Sequence, residues 1–133
     1  MAQTRVNDPY TLYYKGVAMI KEKRVGEAAG FFATILRQHR NSIFAADAAY
    51  QLGVIAESMN NPDDMMQYYM MAQQIDPKHK ASHLRLGIFF ISKNFLDKAE
   101  EQSKMLDRIC PSGCREASVL KNALMAKLKK NDM

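Results

Sequence analysis

Two stretches, AYQLGVIAESMNNPDDMMQYYMMAQQIDP at residues 49–77 and HLRLGIFFISKNFLDKAEEQSKMLDRICP at residues 83–111, decide how this chain is read. Gly53 and Gly87 lie 34 residues apart, as do Pro77 and Pro111, and Leu52 and Leu86 precede the two glycines. In the first of these copies the marks are Ala49, Leu52-Gly53, Ala56, Met65, Tyr69, Ala72 and Pro77; in the second they are His83, Leu86-Gly87, Phe90, Ala99, Ser103 and Pro111. A looser copy precedes both, with Leu12, Lys15-Gly16, Met19, Ala28 and Phe32, and with Arg40 in the place of the proline. Gly16 to Gly53 spans 37 residues, so three extra residues sit in the connection His39-Arg40-Asn41-Ser42-Ile43. A fixed period of 20 to 50 residues means stacked copies of one supersecondary unit, each too small to bury its apolar face alone.

The period and the order of the marks resemble the tetratricopeptide repeat over about residues 9–111, in three copies at about 9–42, 46–79 and 80–113. The resemblance implies an all-α fold, a right-handed solenoid of three antiparallel helix pairs in a single domain spanning residues 1–133. The small residues Gly16, Gly53, Gly87, Ala28 and Ala99 fall where two helices must touch, and Phe31, Phe32, Tyr69, Phe89 and Phe90 are expected to fill the space beside them. Helix punctuation agrees with it. Asn60-Asn61-Pro62-Asp63-Asp64 reads as a turn, an Asn cap, a first-turn Pro and acids at the positive helix end. Asp76-Pro77 ends a copy because the residue before proline is driven out of helical geometry, and Asn94 marks the third intra-repeat turn. Seven helices are expected, over about 9–23, 26–39, 44–59, 62–75, 79–92, 95–109 and 115–130. The last belongs to no repeat: Ala117, Leu120, Leu124, Ala126 and Leu128 suggest one buried stripe, Lys121, Lys127, Lys129 and Lys130 are left for water, and a capping helix at about 115–130 is the reading.

In the tetratricopeptide architecture the first helix of each pair lines an inner groove. The resemblance places Tyr10, Tyr13, Val17 and Ile20 there from the first copy, Asp47, Tyr50, Val54 and Glu57 from the second, and Ala81, Leu84, Ile88 and Ile91 from the third. One branch of the family clamps a partner's terminal carboxylate with Lys, Asn and Arg. Those places hold Tyr13, Val17, Gln51, Ala81 and Arg85 here, and only Arg85 and Gln51 suit a carboxylate. The expectation is therefore a non-catalytic protein–protein interaction module or scaffold that holds a partner peptide or amphipathic helix in an apolar concave groove, with no cofactor. The groove set is Tyr10, Tyr13, Val17, Ile20, Tyr50, Val54, Leu84, Arg85, Ile88 and Ile91. The alternatives are a self-assembling scaffold, or a holder of a hydrophobic partner segment similar to the bacterial secretion chaperones of this family. The capping helix or the N-terminal residues filling part of the groove is the plainer reading of the same surface. Met65 and Tyr69 fall at packing places of the second copy, whereas Met66 and Met70 are candidates for an outward apolar patch and a homo-oligomer.

Composition narrows the function classes. The 133 residues are 47% hydrophobic and 25% charged, with 19 basic and 14 acidic side chains and a net charge of +5. The basic residues are interrupted by residues 43–77, which hold no Lys or Arg and five acids, Asp47, Glu57, Asp63, Asp64 and Asp76. A nucleic-acid binder gathers its cations on one face with aromatics among them, so nucleic acid is not the expected partner. The longest apolar run, Leu86 to Ile91, is far short of the roughly 20 residues that span a bilayer. Met1 to Pro9 lacks the apolar core of a secretory signal, which makes the cytoplasm the expectation, and the periplasm if a signal has been removed.

Few residues carry chemistry. Cys110-Pro111-Ser112-Gly113-Cys114 is the one local feature outside the repeat marks, and it admits reduced structural thiols, a disulfide pinning the cap, or a redox or metal role. The spacing is not the C-x-x-C of thiol oxidoreductases, so a thiol redox protein is the most distant alternative. His79 and His83 have the four-residue spacing of a helical metal pair, but they stand among Lys78 and Lys80 with no third ligand, and packing accounts for His83. Neither a nucleophile–His–acid set nor a phosphate-binding loop is present, and no enzyme activity is expected.

Overall fold

Local signals place several of the helix ends in the computed structural model, which describes residues 7–132. Residues 1–6, on which the reading of the N-terminus depends, and residue 133 lie outside it. Seven α-helices and no strand are found among the described residues: α1 Pro9–Lys21, α2 Val25–Gln38, α3 Ala45–Ser58, α4 Pro62–Ile75, α5 Lys80–Ser92, α6 Leu96–Ile109 and α7 Arg115–Asn131. Three of them begin on a side-chain cap. Asp8 accepts from the Thr11 amide at 2.7 Å, Asn61 from the Asp64 amide at 3.2 Å, and His79 from the Ser82 amide at 3.3 Å. Each satisfies an amide that the first helical turn leaves without a backbone partner.

One turn is built three times. α1, α3 and α5 all close on a non-glycine residue in the left-handed region, Lys23 at φ 62°, Asn60 at φ 56° and Asn94 at φ 61°. Beside it the next amide donates back five residues, Arg24 to Met19, Asn61 to Ala56 and Phe95 to Phe90, at 2.8, 3.0 and 2.8 Å. This double-bonded ending satisfies the last carbonyls and sends the chain back antiparallel. The second helix of each pair ends alike. The amides of His39, Asp76 and Cys110 bond to Ile35, Ala72 and Leu106, and the prolines after Asp76 and Cys110 stop further helix.

The chain forms two compact units, Met1–Pro77 and Lys78–Met133. Within the first, α1 packs on α2, α2 on α3 and α3 on α4; within the second, α5 packs on α6, and α7 lies against both. The buried residues of the second helices fall at matched places: Ala28, Phe32 and Ile35 on α2, Met65, Tyr69 and Ala72 on α4, Ala99, Ser103 and Leu106 on α6. Each triad is spaced i, i+4, i+7, one face of a helix. Close approach explains the glycines. A methyl group added at Gly16 would fall 2.6 Å from Phe32 Cζ, and one at Gly53 would fall 2.4 Å from Tyr69 Cε1. At Gly87 the facing atoms are the Leu120 methyl carbons, at 2.5 Å, so α7 fills that place where α6 offers only Ser103.

Two expectations about α7 are corrected. Ala117, Leu120 and Leu124 are buried as expected, but Ala126 and Leu128 are exposed. At about 100° per residue Ala126 points away from Leu124, and Leu128, at 45% exposure, is not covered by α5 or α6. Nor is α7 unrelated to the period. Ala117, Leu120 and Leu124 lie 34 residues beyond the buried His83, Leu86 and Phe90, so α7 repeats the first-helix face. Lys121 takes the glycine place and pairs with Asp107 at 3.2 Å.

Candidate functional site

In the first unit, α1 carries Tyr10, Tyr13 and Tyr14 at i, i+3 and i+4, so the three rings share one side of the helix. The connection with three extra residues delivers Phe44 onto them. Ring centroids of Tyr10 and Tyr14 are 4.8 Å apart, of Tyr13 and Tyr14 5.3 Å, of Tyr13 and Phe44 5.4 Å, and of Tyr10 and Phe44 5.8 Å. Tilted and edge-on arrangements at these distances add about 0.5 to 1.5 kcal/mol per pair beyond area burial. The cluster is anchored below and open above. Tyr13 meets the buried Phe32 ring at 5.6 Å, while Tyr10 is 62%, Tyr14 50% and the neighbouring Ile43 88% exposed.

Tyr13 is held from two sides. Its phenol oxygen accepts from Gln51 Nε2 at 3.3 Å, and burial, aided by the nearby Asp47 carboxylate, pushes its pKa above the usual tyrosine value. The hydrogen bond occupies Gln51, one of two residues that suited a carboxylate. Val17 and Ile20 pack against the core formed by Leu12, Ala28, Phe32, Ile35 and their neighbours. Tyr50 lies against Tyr69 at 5.6 Å, and Val54 is half-buried. Of the six groove residues expected in this unit, Tyr10 alone is exposed. Tyr14, exposed, and Phe44, half-buried, complete the aromatic cluster and were missed by the sequence reading. The i+4 repeat of tyrosine was a visible signal for Tyr14; for Phe44 the only hint was the three-residue insertion before it.

In the second unit α5 carries Leu84, Arg85, Ile88 and Ile91. Leu84 and Ile91 pack against Leu106, Ala117 and Leu120, so α6 and α7 cover two of the three apolar groove candidates. Ile88 stays 39% exposed, and Arg85 is half-buried. In this unit, then, α7 lies over part of the face that had been assigned to a groove.

The remaining candidates serve the fold. Met65 and Tyr69 are core; Met66 is half-buried and Met70 is 48% exposed. His79 caps α5, and His83 is fully buried with Nδ1 2.7 Å from Gln102 Oε1. The two rings are thus engaged with Ser82 and Gln102. Among the described residues no group of three His, Cys, Asp or Glu is placed to hold a metal, and no helix is long and apolar enough to cross a membrane. Cys110 and Cys114 are joined as a disulfide across the α6–α7 turn. Both pack against the Leu106–Ala117–Leu120 cluster. No protein-family model matches the chain, and no curated protein matches its sequence.

Proposed function

We propose that the chain is a non-catalytic interaction module of the tetratricopeptide type, three helix pairs wound as a right-handed solenoid with α7 as its cap. The matched buried triads of α2, α4 and α6 support the repeat reading, as do the three identical turns and the aromatic rings laid on Gly16 and Gly53. The Lys121 side chain at the glycine place of α7 supports the cap, since a further helix cannot come close there.

One observation carries the binding role: Tyr10, at 62% exposure, and Tyr14, at 50%, present their rings together beside Phe44. Contiguous exposed apolar surface marks interaction sites, and rigid aromatic rings are favoured anchors because ordering them loses little entropy. The partner segment therefore seats on the α1–Phe44 surface of the first unit and not on the Leu84–Ile91 face. A pull-down from the source cell tests this when native protein is compared with Tyr10→Glu plus Tyr14→Glu. Both positions are at least half exposed, so helix content by circular dichroism should be unchanged while specific partners are lost. Identical capture by the two proteins would remove the site from this surface.

A further inference from the structure

The Cys110–Cys114 disulfide has no part in the aromatic surface of the first unit and belongs to the second unit alone. Cys110 is the residue on which α6 ends and Cys114 the residue on which α7 begins, so the bond joins the two sides of a hinge and not two helix bodies. Both cysteines are half-buried, while Pro111, Ser112 and Gly113 between them are exposed. Gly113 stands at φ 96°, a conformation that glycine adopts far more readily than other residues, with nothing within 4 Å of the place of a side chain. Its amide donates to the Cys110 carbonyl at 2.9 Å. That hydrogen bond and the disulfide close the turn.

What the hinge carries is α7. Its buried side chains are Ala117, Leu120 and Leu124. Leu120 lies on Gly87, and Leu84 and Ile91 of α5 pack against the cluster of Leu106, Ala117 and Leu120. Two polar ties to its neighbours, Lys121 to Asp107 at 3.2 Å and Asn131 to Asn94 at 3.1 Å, are exposed and contribute little. A helix held by three apolar side chains and a hinge can open locally while its neighbours stay folded.

We propose that the Cys110–Cys114 bond is a redox lock on this hinge: intact, it keeps α7 over Leu84 and Ile91, and cleaved by a dithiol reductant it lets α7 swing away and uncover that side of α5. A thiolate of the reductant attacks one sulfur, the S–S bond breaks, and the other cysteine leaves as a thiolate. The reductant's second thiol then closes the reductant's own disulfide and expels the first cysteine. Two electrons pass to the pair, and the two thiol protons of the reductant end on Cys110 and Cys114. Cys114 is the favoured leaving group, because it stands at the N-terminus of α7 beside Arg115, where a thiolate is stabilised. The bond closes a loop of five residues from Cys110 to Cys114, and the closure entropy of so short a loop corresponds to about a thirtyfold difference in opening.

Native-state hydrogen exchange of the full chain, read by mass spectrometry with and without dithiothreitol, tests the proposal. Amides of residues 117–127 should exchange about thirtyfold faster after reduction, while those of α5, and of α6 before its last turn, change little. Cys110→Ser plus Cys114→Ser should exchange as the reduced protein does and be indifferent to dithiothreitol. A thiol introduced by Leu84→Cys reads the uncovering itself: a maleimide should modify it about thirtyfold faster in the double-serine background than with the bond intact. Ile91→Cys is a second reporter on the same side of α5. Equal protection of α7 in the two redox forms overturns the proposal. So does a rise spread evenly over α5, α6 and α7, which marks the bond as a staple of the whole unit. Faster exchange in α7 with unchanged labelling at both reporters also overturns it, because the helix then frays without leaving α5. A bond that yields to dithiothreitol only after urea has unfolded the chain is no lock, and the proposal falls with it.

Discussion

Replacing Gly53 with alanine and Gly30 with alanine should move stability in opposite directions. Within a helix, Gly→Ala ordinarily stabilises by about 0.5 to 1 kcal/mol, because alanine loses less backbone entropy on folding. Gly30 sits mid-way along α2 with nothing within 4 Å of an added methyl group, so that gain is realised in full. At Gly53 the methyl carbon would stand 2.4 Å from Tyr69 Cε1 and 2.5 Å from Cδ1. Ordinary carbon contacts are about 3.5 to 4 Å, so ring or helix must retreat by about 1 Å. The ring has nowhere to go: Tyr69 is fully buried, its hydroxyl donates to Glu57 Oε1 at 2.8 Å, and Tyr50 lies at its side. Overpacking of this kind costs about 1 to 3 kcal/mol, and loss of the hydroxyl bond about 1 kcal/mol more. Against the propensity gain, Gly53→Ala should destabilise by about 1 to 3.5 kcal/mol, a fall in melting temperature on the order of 3 to 15 °C. Urea unfolding followed by far-ultraviolet circular dichroism reads both variants. Introducing Gly53→Ala into a Tyr69→Leu background should recover most of its penalty, a coupling between touching residues. If Gly53→Ala stabilises as Gly30→Ala does, the helices do not approach as described and the argument fails.

Lys23 occupies the left-handed position that Asn60 and Asn94 fill in the other two turns. A lysine there costs about 1 kcal/mol relative to a residue that tolerates the region, so Lys23→Asn should raise the urea midpoint by the equivalent of about 0.5 to 1 kcal/mol; an unchanged midpoint would show that the turn carries no such cost. The Asp8 carboxyl is held below its ordinary pKa chiefly by the Thr11 amide that donates to it. Its folded value is therefore depressed, and the stability it contributes is present above about pH 4 and lost as pH falls through the folded value. Asp8→Asn keeps an acceptor for the Thr11 amide, so acid titration of the melting temperature should be flatter for the variant below pH 4 and parallel to the native protein above it. Equal slopes below pH 4 would remove Asp8 from the acid response.

The sequence alone carried the seven helices to within two residues at each end and marked Ala28 and Phe32, Met65, Tyr69 and Ala72, and Ala99 and Ser103 in phase, while Ile35 and Leu106 came only with the structure. These features depend on short-range physics. Caps such as Asn61, stops such as Asp76-Pro77 and an apolar face repeating every 3.6 residues act over a turn or two of chain, where residue order is the whole of the information. Tyr10 and Tyr13, which the family resemblance had placed in the groove set, both lie in the aromatic cluster of α1. Exposure was not legible, because a half-apolar position is covered or left open by a neighbour many residues away. Phe44 reaches back across more than twenty residues to the tyrosines of α1, and this turns three helical side chains into a surface patch. Leu120 reaches Gly87 across 33, drawing α7 over Leu84 and Ile91 and closing a face that the period had marked as open. Periodicity thus marked most of the side chains that turn inward on the six repeat helices, and overreached on α7 at Ala126 and Leu128. Only the packing of helices distant in the chain decided which of them still meet solvent, since exposure depends on whether a side chain from another helix lies over the position.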